Sequence, residues 1–199
     1  MYLEITVHHL IALVTNYGCT QNPAVHLDVL TYNENTPRFY HQFGAKMTFP
    51  TVTGSNLLRE KQRVPQDFKG RLNLVFIAFQ QWQQMEVDSW MPTASELEAQ
   101  FNDLRYYELP TLDKRDFLYR LFLNEGMRAG IPNAKARQRT ITLYLDKTAF
   151  RRTLEMPEEQ HIYILLLDQQ GNEFFRARSS YQPEHETALR VVLTKLLSQ

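Results

Sequence analysis

The 199-residue chain has a single cysteine, Cys19, which excludes an internal disulfide and any intramolecular dithiol and fits a reducing compartment. Net charge is also missing. Lys plus Arg and Asp plus Glu stand at 22 each, so no whole-molecule field draws the chain to nucleic acid or an anionic membrane, and charged recognition is local. No apolar run approaches the ~20 residues that cross a bilayer. The opening stretch, MYLEITVHHLIALVTNYGC, has only LIALV at its apolar centre, carries Glu4 and lacks a basic start, which makes it a poor signal peptide. Asn16 and Tyr17 suit lipoprotein cleavage before Cys19 badly. His8, His9, His26, His41, His161 and His185 are scattered, without the paired spacing of a metal site. No RNA-binding signature, repeat or low-complexity segment is present. The expectation is a cytoplasmic chain with no metal, cofactor or nucleic-acid partner and no transmembrane segment, whose 43% hydrophobic content suffices for one core.

What is there centres on Arg71 to Pro92, RLNLVFIAFQQWQQMEVDSWMP. Leu72 to Phe79 is a short apolar run entered from Gly70, the pattern of a buried central strand. The polar and aromatic stretch after it predicts a loop, leading through Pro92 into a helix from about Asp88 or Thr93 to Phe101. Such a loop lies at the carboxyl end of an open sheet, where α/β proteins keep their sites.

Residues 1–45 read as an ordered extension with short strands at Leu3 to Val7 and Val25 to Val29. Thr51 to Val64 reads as a hairpin turning at Gly54-Ser55-Asn56. Leu104 to Leu109 is a strand closed by Pro110. A helix from Asp113 or Asp116 carries the stripe Phe117, Leu118, Leu121 and Phe122, with Gly126, Gly130 and Pro132 ending it. Thr140 to Leu145 is a strand, Thr148 to Leu154 a short helix, and Ile162 to Arg178 a hairpin turning at Asp168 to Asn172. A last helix opens at Pro183, with Leu189, Val192, Leu193 and Leu196 as its apolar face.

The phrase VPQDFKGRLNLVFIAF resembles the start of thioredoxin-like and peroxiredoxin-like domains, and IYILLLDQQGNEFFRA resembles their penultimate hairpin. The fold this implies for 46–199 is α/β and thioredoxin-like: a central mixed sheet flanked by helices, with an amino-terminal hairpin and an inserted strand. The stretch from Arg139 to Leu189, and the QQWQQMEVDSW loop in outline, are similar to the mitochondrial ATP-synthase assembly factor ten family. Counted from Trp82 as in Trp-Cys-x-x-Cys, the cysteine positions of the superfamily fall on Gln83 and Glu86, neither of which supplies a thiolate. The cis-proline position falls near Gln160 to Ile162, and the nearest proline is Pro157.

The candidate site is therefore Trp82, Gln83, Glu86, Asp88, Trp90 and His161, a surface for a peptide segment in which aromatic faces give contact area and amides fix register. Against it stands the reading that both tryptophans are core and the glutamines merely solvated. Glu86 and Asp88 as an acid/base pair lack a third partner. Arg128, Lys135, Arg137, Arg139, Lys147, Arg151 and Arg152 form a basic stretch able to steer an acidic partner, or else neutralised within the fold. The leading expectation is a redox-inactive binding or assembly module with a protein partner, possibly a homodimer. Its rival is a thiol peroxidase or oxidoreductase that works through Cys19.

Overall fold

A computed structural model describes residues 48–114, 125–131 and 133–197, all within the unit Asn35–Gln199. The extension 1–45 with Cys19, the predicted stripe at Phe117 to Phe122, and Pro132 lie outside the described residues.

The strands are β1 (Val52–Asn56), β2 (Lys61–Val64), β3 (Leu72–Ala78), β4 (Leu104–Asp113), β5 (Ile141–Leu145), β6 (Tyr163–Leu167) and β7 (Glu173–Arg178). They form one seven-stranded mixed sheet in the order β2-β1-β5-β4-β3-β6-β7. β3 runs parallel to β4 and antiparallel to β6, β6 is antiparallel to β7, and β4 is parallel to β5. The helices are α1 (Gln84–Gln100), α2 (Ala134–Arg139), α3 (Lys147–Thr153) and α4 (Pro183–Leu197), with a further helical stretch over 125–130. Strands β4-β3-β6-β7 with α1 and α4 make the thioredoxin-like core. β5 extends it and pairs with the β1–β2 hairpin.

β3 is apolar but for Asn73 because it is buried on both faces. Val75, Ile77 and Phe79 join one core layer with Leu109, Phe150 and Leu165. Leu74 and Phe76 face the other, where Trp90, Leu97, Leu189 and Leu193 of α1 and α4 close over the sheet. Arg190 ties these two helices together, bonding Glu96 and Gln100 across the gap, each at 2.6 Å.

Several boundaries differ from the sequence reading. Gly54-Ser55-Asn56 is strand, not turn. A Cβ at Gly54 would lie 2.7 Å from Ile141 Cγ2 and 2.8 Å from the Thr142 carbonyl, so this glycine serves the close approach of β5. The turn falls at 57–60, where Asn56 Oδ1 accepts from Leu58 and Glu60 N–H and Arg59 takes a positive φ of 69°. β4 continues through Pro110 to Asp113, since its pairing passes from β3 at Pro110 to β5 at Thr111. α1 begins at Gln84 and contains Pro92. The proline removes one backbone bond of the helix, and burial of Val87, Trp90, Ala94 and Leu97 outweighs that loss. The helical stretch 125–130 runs through Gly126 rather than ending there. α2 has no apolar stripe for periodicity to find; Asn133 starts it, its side chain accepting from Lys135 and Ala136 N–H.

Candidate functional site

At the carboxyl end of β3 the chain turns through a single 3-10 turn, Gln81–Gln83, into α1. Gln83 is fully buried there, and both ends of its amide are bonded. Oε1 accepts from Phe79 N–H at 2.7 Å and from Gln80 N–H at 3.0 Å, while Nε2 donates to the Glu159 carbonyl at 2.9 Å. One turn on, Glu86 Oε2 accepts from Ile162 N–H at 3.0 Å and Oε1 lies 2.9 Å from His161 Nδ1. The side chains at both superfamily cysteine positions therefore bond the segment 159–162 that leads into β6. The Gln83 and Glu86 side chains at α1's amino end are thus satisfied within the chain.

Glu159 locks this segment from the opposite side. Its carboxylate accepts from Lys147 Nζ at 2.7 Å and Gln80 Nε2 at 2.8 Å and pairs with Arg151 at 3.1 Å. Burial alone would raise its pKa; the Lys147 ammonium, Gln80 and Arg151 hold it below the ordinary carboxylate value instead.

The six predicted residues separate. Gln83, Glu86 and His161 come together in the staple just described. Trp82 stands on the surface, 55% exposed, and Asp88 is exposed on the second turn of α1. Trp90 belongs to the core: it is 0% exposed, donates Nε1–H to the Ser179 carbonyl at 3.1 Å, and packs on Phe76, Tyr181 and His185. For this tryptophan the structural reading holds. Met85, 79% exposed and three residues after Trp82, extends the surface and was missed because a lone Met in a polar stretch carries no signal.

Most of the basic stretch is neutralised within the fold. Arg139 is buried, stacks over the Tyr106 ring with its guanidinium carbon 4.2 Å from the centroid, and donates to both oxygens of Glu98 at 2.5 and 2.7 Å. Lys135 joins the same carboxylate at 3.2 Å. Burial pushes Glu98 upward, but Arg139 and then Lys135 hold its pKa below the ordinary value. Lys147 and Arg151 serve Glu159, and Arg137 donates to the Ile131 carbonyl at 2.5 Å. Arg152 is exposed and Arg128 half-buried.

Sequence reasoning also missed Glu108. It lies on the face of β4 that α1 covers, half-buried, near the Gln84 amide and close enough to feel the Asp88 charge. Burial, with Asp88 adding, raises its pKa above the ordinary carboxylate value. No group of three or more His, Cys, Asp or Glu suited to a metal occurs among the described residues. None of the described helices is long and apolar enough to cross a membrane.

Fold and site define a thioredoxin-fold protein whose turn from β3 into α1 carries Gln83 and Glu86 and no cysteine. Solved structures agree on the fold. A putative electron transfer protein from Aquifex aeolicus VF5 aligns with a TM-score of 0.55 at 8% identity, over 78% of this chain and 100% of that one. A DsbF homologue from Corynebacterium diphtheriae gives 0.50 at 14% identity, over 88% and 97%. At these identities the likeness is of fold alone. The chain belongs to the ATP10 protein family, whose sequence model matches residues 35–192. No curated protein matches the chain.

Proposed function

We propose that this chain is a redox-inactive binding or assembly module that recognises a polypeptide partner at the amino end of α1, in a role resembling that of ATP-synthase assembly factors. One observation carries the reading. The side chains at the two cysteine positions are committed to internal bonds with 159–162, while Trp82 and Met85 beside them face solvent. A site that holds itself shut with amides and a carboxylate has no nucleophile to offer, but it fixes the geometry of an aromatic and a thioether that supply contact area. Membership of the ATP10 protein family supports a protein partner.

Capture from native lysate tests it. The wild-type chain recovers a protein at near-stoichiometric level, and Trp82→Ala loses it while keeping its fold, because the side chain is largely exposed. Recovery of no such partner overturns the reading.

A further inference from the structure

The first two turns of α1 present an unpartnered face, and its charges say what would cover it. Three of the four carboxylates on α1 have a basic group: Glu86 has His161, Glu96 has Arg190, and Glu98 has Arg139. Asp88 is the exception. Its bond is to the neutral Gln84 amide at 2.9 Å, and Glu108 lies on the face of β4 beneath, close enough for the Asp88 charge to act on it. Neither Asp88 nor Glu108 has a cation among the described residues. With no counter-charge among the described residues, the Asp88 carboxylate disfavours the charged form of Glu108. A neighbouring group is also unmet. Glu108 bridges Thr140, so Thr142, two residues on, shares its face; Thr142 is fully buried and its hydroxyl has no partner. Beside this acidic pair, on the same helix end, stand the exposed side chains of Trp82 and Met85.

We propose that the occupant of this face is a basic segment of the partner polypeptide, which sets an arginine or lysine between Asp88 and Glu108 and lays apolar side chains on Trp82 and Met85. The inference rests on the partner-binding reading and adds the partner's chemistry. The long stem of an arginine or lysine reaches past an exposed aspartate to a half-buried glutamate. Its guanidinium or ammonium supplies the charge both carboxylates lack. The face of Trp82 accepts a second cation or an aliphatic chain.

The test is calorimetric titration of the full chain with the amphipathic peptide LRALLRAL and its acidic counterpart LEALLEAL. The basic peptide binds and the acidic one does not, and Asp88→Asn with Glu108→Gln weakens the basic peptide about tenfold or more. That double variant stays folded, since Asp88 is exposed and neutralising Glu108 removes a disfavoured charge. Equal binding of the two peptides, no binding of either, or wild-type affinity in the double variant overturns the proposal. If the peptides fail while native capture still depends on Trp82, the basic chemistry falls and the partner-binding reading stands. A doubled molar mass that is lost in Trp82→Ala makes a second copy the occupant and also overturns it.

Discussion

Gln83 and Trp82 are neighbours in sequence with opposite duties. Gln83→Ala strips the acceptor from Phe79 and Gln80 N–H and the donor from the Glu159 carbonyl. At the low end of ~1–3 kcal/mol for each of the three groups left unsatisfied, since two of them are only part-buried, the loss is about 3 kcal/mol or more. The urea midpoint falls accordingly, whereas Trp82→Ala changes stability by less than about 0.5 kcal/mol. Equal effects of the two substitutions would contradict the assignment of staple and surface. Glu108 gives a prediction in pH. Its folded pKa is raised above the ordinary 4.5, so what it contributes to stability is fully present below that value and is lost as pH rises through the folded one. Glu108→Gln therefore melts higher than wild type at neutral pH, and the gap closes as pH falls toward 4.5. A gap independent of pH would show that the carboxyl is not strained by its surroundings.

At the scale of elements, the β1–β2 hairpin hangs on Gly54. A valine there puts its Cβ within 2.8 Å of the Thr142 carbonyl, a backbone atom that cannot step aside, and 2.7 Å from the side chains of Ile141 and Leu143. Overpacking of this kind costs about 1–3 kcal/mol. Hydrogen exchange in Gly54→Val speeds in β1 and β2 and leaves β3 and β6 protected; uniform loss of protection would contradict the hairpin's joining the sheet through β5. Elements whose burial is apolar were legible in the sequence. β3, apolar but for Asn73, and β6, an unbroken apolar run, announce themselves, and the apolar face of α4 lies where spacing put it. What escaped was held by other means. α1 begins four residues before Asp88 because Gln83, a buried amide, ends the strand and opens the helix, and apolar periodicity is blind to a buried polar residue. β4 outran Pro110 because a new neighbour, β5, takes over its pairing there, which a local reading of proline does not see.

For the molecule as a whole, the sheet brings residues far apart in sequence together at the carboxyl end of β3, and the site lies there. Counting from Trp82 located Gln83, Glu86 and the segment at His161, since superfamily geometry places them side by side. That count did not separate Trp90, whose side chain turns inward to Phe76 and His185, from Trp82, whose side chain turns out. Nor did it find Glu108 and Glu159, which reach the site from β4 and from the approach to β6, with no spacing that links them to α1. The central claim is that a thioredoxin scaffold recognises a partner with no sulfur chemistry. Parallel capture by wild type and Cys19→Ser, resolved with and without reductant, tests it most directly. The account predicts the same partner in the same amount from both chains, released without reductant. A partner held through a mixed disulfide and lost in Cys19→Ser would contradict it.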